Sequence, residues 1–534
     1  MNNKKLQVWF PFFFAISMVV GMFLGYKLRD KMPWTSNILR VNSSGELQEV
    51  IDLVRNRYVD PVNTDSLREL AIDQVLTALD PHSVYIPARS LRDVNEDLAG
   101  RFEGIGVEFN IYDDTVHIIT VLRGGPSDKA GILPGDRIVK VEEKPVAGTK
   151  ITGDGIRSLL RGPRGSKVNV TVLRNDAPKQ FTITRGFIPL YALDAAYMME
   201  GQTGYIRLNK FSETAYEEFM EALEGLQKKG MTSLVLDLRE NGGGILTEAV
   251  EMADEFLDGD KLIVYTEGKH NPKKEYKCRR RGLFEQGKLV LLLNEGSASA
   301  SEVLAGALQD WDRATIIGRR SFGKGLVQEQ YSLSDGAALR LTVARYYTPL
   351  GRSIQKPYNK GITDYNDEIL DRYHRGELVN EDSSRQNNGK AYTTKNGKKV
   401  YDGGGITPDI FVGFDTTVVD TTITEMYRKN TMGRFVYRYY VKNKDEFVKY
   451  REPSDFEKDF QITDELYGQF RNFAAADTIN ISNIPTKDKS FLTLRLKSLF
   501  ARQIWRTEGF YEVANAEDPV IRKAAEVIKA GPSL

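Results

Sequence analysis

Between about residues 188 and 356, short apolar runs that read as buried strands alternate with amphipathic stretches that read as helices. This alternation constrains the fold more than any other feature. Tyr205-Ile206-Arg207-Leu208 is strand-like, and Thr214 with Glu217 forms a capping-box pattern that opens a helix through Leu226. Next come the run Ser233 to Leu238, a helix near Thr247 to Leu257, the run Leu289 to Leu293, and a helix after Ser299. That rhythm predicts an α/β layer architecture.

Two of these strands end in turns of very small residues. Leu289 to Leu293 leads into Gly296-Ser297-Ala298-Ser299-Ala300-Ser301-Glu302, which leaves room for a substrate backbone and offers serine hydroxyls at a strand-to-helix turn. A serine hydroxyl does not ionise near neutral pH and needs a base beside it. The four histidines, His82, His117, His270 and His374, lie in segments with no other catalytic character. Lysine is the other candidate: Lys324 in Ser321-Phe322-Gly323-Lys324-Gly325 has apolar, glycine-loosened surroundings. Burial that lowers an amine by roughly three pKa units costs about 4 kcal/mol of destabilised charge. Gln328, four residues on, is placed to orient the amine.

These residues resemble the carboxyl-terminal processing, or tail-specific, proteases, which use a Ser-Lys dyad. The resemblance implies Ser299 as nucleophile, Lys324 as general base, Gln328 as the residue that positions the lysine, and a structural role for Glu302. Ser297 and Ser301 compete as nucleophile, and only the family's spacing selects Ser299 over them. Acyl transfer also needs two donors for the developing oxyanion. Ser233 to Arg239 breaks into Glu240-Asn241-Gly242-Gly243-Gly244, and glycines let backbone N–H groups turn toward a ligand. The resemblance implies the amide of Gly243, with Gly242 or Gly244 as alternatives, and that of Ala300.

A further module begins at Arg101-Phe102-Glu103-Gly104-Ile105-Gly106-Val107 and runs through Gly124-Gly125-Pro126 and Ala130-Gly131-Ile132-Leu133-Pro134-Gly135-Asp136-Arg137-Ile138. It resembles a PDZ domain. The resemblance implies that the Gly104, Ile105, Gly106, Val107 loop presents amides to a peptide's terminal carboxylate while a strand edge pairs with the peptide. Arg161, near the module's end, is a candidate for coupling peptide occupancy to the catalytic domain, with a solvated turn arginine as the alternative.

The 534 residues exceed one core and suggest three or four domains. The 74 basic and 73 acidic side chains nearly cancel, so charge makes no case for nucleic acid. The amino terminus differs: after Lys4 and Lys5, residues 8 to 26 are almost wholly apolar, long enough to cross a bilayer. No small-residue cleavage site follows cleanly. An uncleaved signal anchor is therefore favoured over a signal peptide, with a single pass through the cytoplasmic membrane and the body in the periplasm or outside. The single cysteine, Cys278, excludes an intrachain disulfide and a cysteine-based metal cluster. No metal or other cofactor is called for.

The expected organisation is multidomain α/β: an anchor over 1–30, an N-terminal helical region over 45–98 with His82 structural, and an inserted PDZ domain over 99–187. A crotonase-like protease core over 188–415 carries an inserted surface loop at 357–402, and a mainly helical C-terminal extension covers 416–534. The extension has three open roles: completing the core, serving as the arm of a homodimer, or binding an adaptor protein. The resemblance, over roughly 45 to 413, implies an endopeptidase whose protein substrates are bound by their C-termini. A noncatalytic PDZ scaffold would be marked by loss of the serine or the lysine, and both are present. A crotonase-type acyl-CoA enzyme shares the glycine-turn logic but conflicts with an export signal and a PDZ module.

Overall fold

The structure is a computed structural model. It describes residues 14–23, 45–384, 389–414 and 421–530. The chain divides into two compact units, residues 1–75 and 76–534.

In the first unit, Glu46–Arg57 is a helix with Glu46 and Glu49 in its first turn and Arg55 and Arg57 in its last, an order that complements the helix dipole. Residues 14–23 are helical, and the rest of the apolar stretch 8–26 lies outside the described residues. Among the described residues no helix is long and apolar enough to cross a membrane.

The second unit is built on a six-stranded sheet with spatial order Leu193–Met199, Thr203–Leu208, Ser233–Asp237, Lys288–Leu293, Thr315–Gly318, Ile410–Phe411. The first pair is antiparallel and the others are parallel. Successive strand residues face opposite sides, which explains the uninterrupted apolar run at 289–293. Leu289, Leu291 and Leu293 pack with Phe219, Leu223, Leu304 and Leu308 on one face. Val290 and Leu292 pack on the other with Val520, Ile521, Ala524 and Ile528 from the last helix, Pro519–Lys529. A parallel sheet needs both faces covered. The end of the C-terminal extension therefore completes the core.

The helix expected from the Thr214 pattern runs Ala215–Lys228, but no side-chain capping bond forms at Thr214. The Thr214 hydroxyl instead donates to Glu218 Oε1 at 2.8 Å. Glu218 Oε2 accepts from the Ala192 and Leu193 amides, so the carboxylate that closes this corner is one residue beyond the one expected.

A second sheet is formed by Leu262–Glu267, Lys274–Lys277, Leu326–Ser332, Ala338–Tyr347 and Val84–Ile86. The 45–98 region is thus not wholly helical, because Val84–Ile86 pairs antiparallel with Ala338–Tyr347. Among its described residues, the segment 357–402 is not simply a surface loop. Helix Ile362–His374 buries Tyr365 and Arg372, and Val400, from the hairpin Ala391–Thr393 with Lys399–Tyr401, is buried too. Polar composition disguised this segment, since its buried members include an arginine.

The module at 101–189 is entered and left through the paired strands Arg101–Gly104 and Gly186–Pro189. Its own sheet runs in the order Val107–Tyr112, Thr115–Val121, Arg137–Val141, Lys167–Arg174, Ala177–Thr184, which leaves Val107–Tyr112 at an edge. Helices Thr431–Lys442 and Asp464–Ala476 and the helical segment Thr486–Asn515, kinked at Trp505 and Arg506, share a separate aromatic-rich core centred on Phe435, Phe470 and Phe500.

Candidate active site

Strand Lys288–Leu293 ends in a turn that delivers Ser299 to the N-cap of helix Ala300–Asp310, every residue of which is buried. Ser299 adopts φ 55°, ψ −114°. A non-glycine residue in sparsely populated backbone space costs on the order of 1–3 kcal/mol and persists only where its surroundings fix it. Here the Ala298 N–H donates to Asn241 O at 3.0 Å, and the Phe322 N–H donates to Ser297 O at 2.9 Å.

The three serines of the turn differ in what their hydroxyls do. Ser297 Oγ donates to Leu238 O at 2.8 Å and accepts from the Asn294 N–H at 3.0 Å. Ser301 Oγ donates to Asn241 O at 2.9 Å. Both are fully buried. Ser299 is partly exposed, and its hydroxyl is not spent on a buried carbonyl as those of Ser297 and Ser301 are.

Glu302, 0% exposed, joins the serine turn to the lysine loop. Its Oε2 accepts the backbone N–H of Ser299 at 2.9 Å and that of Lys324 at 2.8 Å. Its Oε1 accepts the Ser321 hydroxyl at 2.5 Å and the Gly323 N–H at 2.7 Å. Burial pushes the Glu302 carboxyl up to about 7, and these four donors partly offset that rise. The Tyr346 hydroxyl lies between the Lys324 carbonyl, at 2.6 Å, and the Ser299 carbonyl, at 3.1 Å.

Burial lowers the Lys324 amine from the ordinary lysine value, and the Arg340 charge adds to this. Burial, with the Lys324 charge next, lowers His82 to about 4. His82 Nε2 bonds the Tyr365 hydroxyl at 2.8 Å, and Tyr365 packs edge-on against Phe322 at 5.8 Å. Helix Ile362–His374 holds the same loop by its backbone: Arg372 donates to the carbonyls of Ser321 at 3.2 Å and Arg320 at 2.7 Å.

The structure changes the expectation for three residues. The Gln328 amide donates to Thr342 Oγ1 at 3.4 Å, across a strand pair whose register shifts between Val327 and Gln328. That register points it to Thr342, which in turn donates to Asp80 at 3.0 Å. Gly243 lies against the serine turn, and a Cβ there would meet Ser299 Cβ at 2.7 Å and Ala300 N at 2.9 Å. Its N–H, however, donates to Asn241 Oδ1 at 2.9 Å, because a fully buried asparagine must satisfy its carbonyl. Gly242 and Gly244 are exposed beside it. Arg161 pairs with Asp93 at 2.6 Å and Glu96 at 3.3 Å, on the helix Ala88–Leu98 that precedes the module, rather than with the six-stranded core. That helix reaches the core through Asp97 to Lys210 at 2.9 Å and Asn95 to Gln330 at 3.2 Å.

Sequence reasoning gave no role to Asn241 or Tyr346. Asn241 also donates to Leu208 O at 2.9 Å and, through its N–H, to Leu238 O at 3.2 Å, so it ties two strand ends to the serine turn. Its only local signal was its place ahead of the glycine triplet. Tyr346 had none, since its partners lie 22 and 47 residues away.

On the parallel sheet's carboxyl edge, then, a strained serine turn meets a buried lysine loop, the arrangement of a serine-type peptidase. Family models agree: residues 202–365 match peptidase family S41, residues 104–184 match the PDZ domain, and residues 422–506 match a family of unknown function. The carboxy-terminal-processing protease of Bartonella bacilliformis is 36% identical over 350 residues, covering 64% of this chain and 80% of that protein. The carboxyl-terminal-processing protease of Synechocystis sp. is 36% identical over 313 residues, 57% of this chain and 72% of that protein. Among solved structures, a photosystem II D1 C-terminal processing protease is 27% identical, covers 70% of this chain and 88% of that one, and superposes with a TM-score of 0.34. The chain belongs to the carboxyl-terminal-processing serine proteases, with a PDZ domain and a helical C-terminal region.

Proposed function

We propose that the protein is an endopeptidase that takes the C-terminus of a protein substrate on its PDZ domain and cleaves through an acyl-enzyme formed on Ser299. Lys324 in its neutral form removes the Ser299 Oγ proton as that oxygen attacks the scissile carbonyl carbon. The oxyanion is held by the Ala300 amide together with one from the glycine turn, Gly242 or Gly244, or Gly243 once released from Asn241. Collapse expels the amine, which takes the proton back from Lys324. Water, deprotonated by the same lysine, then attacks the ester and frees the new carboxylate.

The observation that carries this reading is that Glu302 Oε2 accepts the N–H groups of both Ser299 and Lys324, while the hydroxyls of Ser297 and Ser301 are spent on buried carbonyls. The core is read as crotonase-like. Its apolar amino terminus is read as a signal anchor that places the body in the periplasm or outside the cell.

The test is cleavage of an unfolded protein with an apolar free C-terminus by the chain and by its Ser299→Ala and Lys324→Ala variants. The reading requires each variant to lose on the order of 10⁴-fold or more in rate. Cleavage by Ser299→Ala at the unmodified rate would overturn it.

A further inference from the structure

The edge strand Val107–Tyr112 borders a cavity of about 520 Å³, within the range of about 300–1,000 Å³ usual for ligand pockets. One wall is the amide loop, where the Ile105 and Gly106 N–H groups meet no acceptor among the described residues. A second wall is helix Gly153–Leu160, through Arg157 and Leu160. The third wall comes from outside the PDZ domain. Helices Thr431–Lys442 and Thr486–Asn515 contribute Val436, Leu499 and Arg502.

This third wall is fastened to the module. Gln503 donates to Ile119 O at 2.9 Å, Arg506 pairs with Glu108 at 3.0 Å, Arg438 pairs with Asp113 at 2.7 Å, and Lys444 donates to Pro134 O at 2.8 Å. A peptide added to the edge strand would lie between the PDZ helix and the C-terminal region.

The charges around the cavity state which chemistry fits. Glu108 is answered by Arg506, Arg157 by Asp154, and Arg161 by Asp93 and Glu96. Exposed Arg502 has no carboxylate partner among the described residues. We propose that the helical region matching the family of unknown function is the second half of the peptide site, and that Arg502 selects peptides carrying acidic side chains just upstream of an apolar C-terminus. This rests on the reading that the PDZ loop receives a terminal carboxylate.

The test measures fluorescence anisotropy with the full chain carrying Ser299→Ala, which binds without cleaving. The probes are fluorescein-labelled decapeptides with an apolar last residue, having Glu or Gln upstream, each with a free or an amidated terminus. The Glu peptide with a free terminus should bind about fivefold more tightly than its Gln counterpart, as for a single partly exposed ion pair. Arg502→Gln should remove that preference and leave the Gln peptide unchanged, and Arg502→Glu should invert it. Equal binding of Glu and Gln peptides, or a preference that survives Arg502→Gln, overturns the proposal. Equal binding of free and amidated termini overturns the underlying carboxylate reading instead, which keeps the two failures distinct.

Discussion

Ser299 and Lys324 donate their backbone N–H groups to the same carboxylate oxygen, Oε2 of Glu302, at 2.9 and 2.8 Å. Segments distant in sequence thus share one buried acceptor, and the relative placement of the serine turn and the lysine loop is fixed by main chain. Glu302→Gln sets an NH₂ group among donors, and each buried donor left unpaired costs about 1–3 kcal/mol. The expected result is a fall in kcat of about 100-fold or more with KM little changed, measured on a peptide substrate. A variant with wild-type kcat would show that the shared acceptor does not matter.

Tyr346 makes the complementary link, its hydroxyl lying between the carbonyls of Ser299 and Lys324. Tyr346→Phe keeps the ring and removes the link. Urea unfolding should show a loss of about 1 kcal/mol, and steady-state kinetics a kcat lowered about tenfold.

Gly243 has φ 95°, and a Cβ there would meet Ser299 Cβ and the Ala298 carbonyl at 2.7 Å. Gly243→Ala combines an unfavourable left-handed conformation, about 1–2 kcal/mol, with a clash against backbone. Activity should fall to background while the circular dichroism spectrum stays native.

Arg372 is fully buried and holds the Arg320 and Ser321 carbonyls and Glu377. Arg372→Ala removes one member of a buried charged network, a change that costs about 3–5 kcal/mol. Thermal unfolding should show it. Limited proteolysis should open the chain first near the lysine loop.

Two pH effects follow, both from burial that lowers a basic group. In the proposed mechanism Lys324, lowered by burial, serves as base only when neutral, so kcat/KM should climb tenfold per unit up to its lowered value and then level off. A flat profile from pH 5 to 10 contradicts it. His82 is lowered to about 4, so its contribution to stability is complete above the ordinary value near 6.5 and is lost as pH falls through 4. Unfolding free energies from urea titrations at pH 7 and pH 4 should differ more for the wild type than for His82→Phe, by on the order of 2 kcal/mol. Equal differences would remove His82 from the acid response.

Local patterns made the strands and both chemical turns legible. The run at 289–293 reads as buried because both its faces are covered, and the small residues after it mark a close approach of chain to chain. Relationships between distant segments were not legible. Nothing near Asn241 announces that its side chain occupies the Gly243 amide, and nothing in the polar stretch at 357–402 announces a buried Arg372. The role of the C-terminal extension was open for the same reason. Its last helix has the apolar spacing of any amphipathic helix, and only the sheet's uncovered face determines where Val520 and Ile521 go.

The most direct measurement is covalent labelling of the full chain with a fluorophosphonate, followed by peptide mass spectrometry, from pH 6 to 10. The account predicts one adduct, on Ser299, forming faster as pH rises and suppressed by Lys324→Ala. An adduct on Ser297 or Ser301, or labelling of Lys324→Ala at the unmodified rate, would contradict it.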